Sequence, residues 1–298
     1  MTIVAPRTPN LALKLPADEA ALLVQGEDGQ GLVRAISAVL ADHDANIVAL
    51  DQYSDDPTGG HFFQRTIFTL DEPAAVFPAL EAELAVALDP LGLAWRLVDR
   101  GIPKRVAILA STSDHCLLDL LWRQRRGEIP MTVPMVISNH GDVAEDVRSF
   151  GIPFFHVPSA GPDKSAAEER ILELVQGNVD LVVLARYMQI ISADFLHRVG
   201  VPVINIHHSF LPAFIGAGPY RKAKERGVKL IGATAHYVTE ELDEGPIIEQ
   251  DVARVTHADT AADMQRKGAY VEREVLSRAV LAHCEDRVMR NGRETVVF

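Results

Sequence analysis

Three residues in this 298-residue chain, Asn205, His207 and Asp243, are of types that could together break an amide bond. An amide N–H can steady a developing oxyanion, an imidazole can take and return a proton, and a carboxylate can orient that imidazole. Their spacing allows them to meet. The apolar run 201–206 reads as a short buried strand, and strand side chains alternate between faces, so Asn205 and His207 point the same way at its end. A second strand is expected over Leu230 to Val238, and Asp243 follows it in a turn stiffened by Gly245 and Pro246. Each of the three also has an ordinary structural explanation: a hydrogen-bonded core histidine, a turn-forming Asn, a turn-forming Asp. Spacing alone leaves both readings open.

The surrounding motifs bear on the choice. The run from Asn205 to Gly216 (NIHHSFLPAFIG), with Gly232 to Val238 (GATAHYV) and Leu242 to Ile248 (LDEGPII), closely resembles the folate-dependent formyltransferases. Within that superfamily it is most similar to the formyltetrahydrofolate deformylases. The resemblance extends over nearly the whole chain from Ala20. It implies hydrolysis of 10-formyltetrahydrofolate to tetrahydrofolate and formate, supplying formate for purine synthesis and balancing the one-carbon folate pool. It also implies that Asn205, His207 and Asp243 are catalytic, that Tyr187, Met188, Gln189, Ile190 and Ile191 grip the pterin, and that His236, Val238 and Glu241 form the opposite wall. Without it, Met188 and Ile190 would read as core. Folate is then the substrate, with no metal and no tightly bound cofactor. Two rivals stay open: a formyltransferase acting on a non-phosphorylated amine, and a non-catalytic folate or amino-acid sensor.

Composition narrows the partners. A hydrophobic fraction of 48% and a charged fraction of 23% describe an ordinary globular protein. The formal net charge of -12 argues against nucleic acid or a membrane surface as partner, because phosphate binding needs a concentrated positive field. No segment reaches the roughly 18 uncharged apolar residues of a membrane span, and the start lacks a signal-peptide layout, so a cytoplasmic location is expected. Cys116 and Cys284 stand far apart with no metal-ligand spacing around them. A local basic stretch, Arg221, Lys222, Lys224, Arg226 and Lys229, reads as a solvated helix face, although it lies near the candidate site and a folate tail is anionic.

The elements that must position these residues follow from periodicity. Residues 1–19 read as a loose arm. Over 20–100 the pattern is strand, helix (Leu32 to His43), two strands joined across a turn at 55–60, helix (Val76 to Leu88) and closing strand, a βαββαβ, ferredoxin-like order. This region resembles an ACT domain. The resemblance implies an amino-acid effector at a subunit interface, held by Asp28, Gly29, Gln30 and Gly31 with Asn46 opposite, and hence a homo-oligomer, dimer or tetramer; the glycines alone equally describe a tight turn. A charged linker near Arg100 opens the remainder, 101–298, where continuous apolar strands alternate with helices. That alternation marks an α/β domain with a doubly wound, mostly parallel sheet of the formyltransferase type, whose ligands sit outside the strands' carboxyl ends. Asp259 and Thr260 should cap a long amphipathic helix, and 293–298 should end the chain as an edge strand.

Two departures bear on mechanism. Transformylases with a phosphorylated acceptor carry a glycine-bearing loop after the first strand, whereas Ser111 to Cys116 contains no glycine and places Asp114 there. A like charge a few ångströms from a phosphate repels it, which favours water as acceptor; Asp114 is also expected to cap the helix that follows. Gly218 and Arg221 stand where the deformylase pattern has a basic residue and a His.

Overall fold

The computed structural model describes residues 15–56, 58–159, 165–212 and 218–298; the first fourteen residues of the expected arm lie outside these. The chain divides into two compact units, one holding 15–103 with 285–289 and 296–298, the other 104–284 with 290–295.

The first unit has strands β1 (Glu19–Glu27), β2 (Asn46–Ser54), β3 (His61–Thr69) and β4 (Ala94–Asp99), with helices α1 (Leu32–Asp42) and α2 (Pro73–Leu88) in the expected order. Its sheet runs β2-β3-β1-β4 with antiparallel neighbours. The alternation of β1 explains the layering. Ala20, Leu22 and Val24 pack with Ile36 and Leu40 of α1 and Leu80, Leu84 and Leu88 of α2, while Ala21 and Leu23 face Phe63, Ile67 and Met289 on the other side.

The second unit is a seven-stranded sheet in the order β11-β10-β9-β8-β5-β6-β7. Its strands are β5 (Lys104–Ala110), β6 (Met131–Ser138), β7 (Phe154–His156), β8 (Leu181–Ala185), β9 (Val203–His207), β10 (Leu230–Tyr237) and β11 (Ile247–Arg254). Helices α3 (His115–Arg125), α4 (Ala144–Ser149), α5 (Ser165–Val175), α6 (Ala193–Val199), α7 (Pro219–Arg226) and α8 (Ala261–Cys284) complete it. β5 to β9 pair in parallel, and β10 runs against both β9 and β11. The central strands β5 and β8 are apolar and buried through most of their length, as covering on both faces requires. The strand order reverses at β5 and β8, which places the expected ligand crevice beyond Ala110 and Ala185.

Four local expectations change. β11 has no counterpart in the sequence reading, because Glu249, Gln250 and Asp251 break the apolar pattern of an edge strand. Residues 294–297 form β13 (Glu294–Val297), which pairs with β12 (Val288–Asn291) in a two-stranded hairpin rather than joining the large sheet; Gly292 and Arg293 make the two-residue loop, with φ +59° at the glycine. Asp114 occupies the N-cap position of α3 without a side-chain cap bond. The cap of α8 is reciprocal between Thr260 and Asp263: the Asp263 N–H donates to Thr260 Oγ1 at 3.1 Å and the Thr260 N–H to Asp263 Oδ2 at 3.0 Å. Among the described residues no helix is long and apolar enough to cross a membrane.

Leu84 is fully buried in the first unit's core. Leu84→Ala should cost about 2–5 kcal/mol in denaturant unfolding; a loss below about 1 kcal/mol would contradict that packing.

Candidate active site

β9 and β10 are the platform. Their register sets Asn205 opposite His236 and His207 opposite Thr234, so all four side chains share one face of the sheet. After β10 the chain turns sharply. Gly245 is required there, since a Cβ would lie 1.8 Å from the Tyr237 carbonyl oxygen, and the Tyr237 N–H donates to the Pro246 carbonyl at 2.9 Å. The same turn puts Asp243 in the left-handed region, φ +59°, a conformation an Asp tolerates better than most side chains.

Asp243 thereby reaches back to the platform. Its Oδ2 lies 3.2 Å from His207 Nδ1 and its Oδ1 3.8 Å from His236 Nε2. The hydrogen bond from His207 holds the Asp243 carboxyl below its ordinary range despite partial burial. With Nδ1 donating to this carboxylate, the neutral His207 ring has its lone pair on Nε2. That atom is buried and, among the described residues, has no hydrogen-bond partner.

His236 orients the amide. Its Nδ1–H donates to the Tyr237 carbonyl at 3.0 Å, because a carbonyl can only accept. Burial lowers the pKa of His236 and favours the neutral ring. Nε2 of that ring then accepts from Asn205 Nδ2 at 3.3 Å, leaving the second amide N–H for another acceptor. Thr234 fixes the segment after β9: its Oγ1 donates to the Ser209 carbonyl and accepts from the Leu211 N–H, each at 3.0 Å.

These groups line a cavity of about 420 Å³. One wall is the exit of β8, where Arg186 is left-handed at φ +62°. The Met188 N–H donates to Ser111 Oγ at 3.1 Å, and Ser111 in turn donates to Asn139 Oδ1 at 2.6 Å, so the ends of β5 and β6 brace this segment. Tyr187, Met188, Gln189, Ile190 and Ile191 all line the cavity. Tyr187 is buried in the sheet core, whereas Met188 and Ile190 are 56% and 62% exposed, so they are not core residues. His236 and Val238 lie on the other wall, but Glu241 does not; past the end of β10 the strand alternation no longer holds, and Glu240 lines the cavity instead.

Arg186 and His208 were not singled out by sequence. Arg186 directly follows a buried strand, which is the signal that could have found it; His208 lies just past the end of β9 at His207, where strand alternation gives no guide. His208 stacks on His207 at 5.2 Å between ring centroids, and burial, aided by the nearby Arg186 charge, pushes its pKa down to about 4. In the basic stretch, Lys224 donates to the carbonyls of His257 and Asp259, and Arg221 pairs with Glu225, while Gly218 borders the cavity. Residues 213–217, including Ala213 to Gly216 of the motif that carries the resemblance, lie outside the described residues.

The effector residues belong to the first unit. Asp28 accepts from the Gly29 N–H at 2.8 Å and from Ser54 Oγ at 2.6 Å, Gly29 and Gln30 are exposed, and Gly31 is the left-handed N-cap of α1. Asn46 starts β2, level with Thr69, whereas Asp28 lies beside Ser54 at the far end of that strand. Within one chain the two are not brought together.

Fold and site together define a formyl transferase-type α/β unit, and the comparisons agree: residues 104–280 match the family model described as formyl transferase. A formyltetrahydrofolate deformylase from Mycobacterium tuberculosis (strain ATCC 25618 / H37Rv) is 58% identical over 283 residues, 95% of this chain and 91% of the relative. One from Bacillus subtilis (strain 168) is 46% identical, covering 94% of each. The crystal structure of a formyltetrahydrofolate deformylase from Pseudomonas syringae pv. tomato superposes with a TM-score of 0.91 at 43% identity, covering 95% of both chains. The chain belongs to the formyltetrahydrofolate deformylase family.

The lowered pKa of Asp243 has a pH consequence. Its contribution to stability is complete above the unfolded value of about 3.9 and is lost as pH falls through the lower folded value. Asp243→Asn should therefore be less stable than the parent at neutral pH, with the difference shrinking toward the acid end. A difference constant across pH 2–6 in parallel unfolding titrations would contradict the hydrogen bond from His207 to Asp243.

Proposed function

We propose that this chain hydrolyses 10-formyltetrahydrofolate to tetrahydrofolate and formate. The observation that carries the reading is His207: Nδ1 is tethered to Asp243, and Nε2 stands unpartnered among the described residues, in a cavity wall beside the Asn205 amide. Water attacks the formyl carbon and gives its proton to His207 Nε2. The carbonyl oxygen becomes an oxyanion that the free Asn205 N–H and the new imidazolium stabilise, with Asp243 balancing the imidazolium. The tetrahedral intermediate collapses as the proton passes to the folate nitrogen, the C–N bond breaks, and formate leaves. Acid, base and oxyanion donor all come from the chain, with no tightly bound cofactor in the scheme. Met188 and Ile190 offer apolar contact to the pterin.

We read the first unit as an ACT-type, ferredoxin-like domain with an assembly and regulatory role. Its βαββαβ order and β2-β3-β1-β4 sheet support this. Edge strand β2 exposes Val48, Leu50 and Tyr53, which favours a homo-oligomer in which Asn46 of one copy faces the Asp28 to Gly31 loop of another. An amino acid is the effector of that reading. The cytoplasmic location and the supply of formate to purine synthesis come with the family resemblance.

Purified protein given 10-formyltetrahydrofolate and no amine should release formate and tetrahydrofolate in equal amounts. Strict dependence on an added amine would instead support a transferase. His207→Ala should lower kcat by roughly two or more orders of magnitude while folate binding survives; near-normal turnover by the folded variant would remove His207 from the mechanism.

A further inference from the structure

Glu272 lies in the middle of α8 with its side chain only 3% exposed. A carboxylate at that depth stays ionised only when its oxygens are matched by donors and positive charge. They are matched here. His115 Nε2 is 2.7 Å from Oε2, the Tyr220 hydroxyl donates to Oε1 at 2.6 Å, and Arg186 Nε is 3.5 Å from Oε2. Burial pushes the carboxyl up, yet the His115 bond, the Arg186 charge and the Tyr220 bond outweigh it and leave it at about 2.

The partners come from three separate stretches: the first turn of α3, the exit of β8 and the first turn of α7. Helix α8 is shaped to receive them. A Cβ at Gly268, one turn before Glu272, would lie 1.9 Å from the Tyr220 hydroxyl, so a glycine that weakens the helix interior opens the slot Tyr220 fills. Cys116 Sγ lies within 4.8 Å of the His115 and Glu272 ligand atoms, a grouping a divalent cation could use. Arg186 already supplies the positive charge, and burial together with Glu272 pushes the Cys116 thiol well up, away from the thiolate a metal needs. The knot is organised around an anion.

Its place matters for the reaction. The first turn of α3 and the exit of β8 bound the crevice where an open α/β sheet takes its ligands, and a helix N-terminus there adds positive potential. Asp114, expected from sequence to repel a phosphate there, is exposed and its charge is screened by solvent. Glu272 is the anion held inside.

We propose that His115, Arg186 and Tyr220 form an anion receptor permanently filled by Glu272, which makes Glu272 a specificity-determining residue: it withholds the receptor from a phosphate-bearing formyl acceptor and leaves the formyl group to water. The consequence for the acceptor rests on the hydrolase reading; the filling of the receptor does not.

Thermal unfolding of the full chain tests it, with inorganic phosphate as the probe and chloride at equal ionic strength as the control. The parent protein should show no phosphate-specific shift. Glu272→Ala empties the receptor, and phosphate at ten times its dissociation constant should raise the melting temperature by roughly 2–3 °C. Glu272→Gln fills the space without the charge, keeps the fold if the alanine variant does not, and should respond in the same direction but less. Adding Tyr220→Phe to Glu272→Ala should weaken the response. Melting curves in which both Glu272 variants respond to phosphate as the parent does overturn the proposal. A parent protein that melts as expected but releases no formate would contradict the hydrolase reading and leave the receptor standing.

Discussion

Asp243 holds Oδ2 3.2 Å from His207 Nδ1 and stands farther, 3.8 Å, from the unprotonated His236 Nε2, and the chemistry of the cavity depends on the nearer contact. The nearer contact fixes which nitrogen of His207 carries the proton, so the base is already aimed before substrate arrives. His236 is fixed from its other side by the Tyr237 carbonyl and hands orientation on to the Asn205 amide. Preorganisation of this kind removes reorganisation from the reacting step, and one well-aimed oxyanion donor is worth roughly 3–4 kcal/mol of barrier. The left-handed backbone at Asp243 is a local strain that Gly245 and the Tyr237 to Pro246 hydrogen bond hold in place.

The sheet supplies the precision. An antiparallel β10 inserted between β9 and β11 places residues of two strands at fixed cross-strand positions, Asn205 opposite His236 and His207 opposite Thr234. One edge of the cavity is thus built from paired backbone. The facing segment after β8 has no such ladder, and relies on Ser111 and Asn139 at the ends of the neighbouring strands.

Much of this was legible in the sequence, for identifiable reasons. Strand alternation put Asn205 and His207 on one face, and turn chemistry placed Asp243 beyond the next strand, so the expected three do meet. Helical spacing at Leu32, Ile36, Val39 and Leu40 likewise gave α1, whose buried residues are these four. What escaped depends on tertiary burial or on where an element stops. His208 follows the last residue of β9 and so leaves the alternation, Glu240 replaces Glu241 on the wall for the same reason at the end of β10, and the polar edge strand β11 carries no apolar period. Glu272 reads in sequence as one more charged residue of a long amphipathic helix; only the packing of Arg186, His115 and Tyr220 around it distinguishes it from its solvated neighbours.

The most direct test of the Asp243 arrangement is the ¹⁵N spectrum of the histidine rings, assigned by single-residue replacement. For the neutral rings the structure requires a proton on Nδ1 and a bare Nε2 at both His207 and His236, and in Asp243→Asn the His207 preference should weaken while that of His236, held by the Tyr237 carbonyl, persists. A His207 ring protonated on Nε2 in the parent protein could not accept a proton from water at that atom, and would contradict the account.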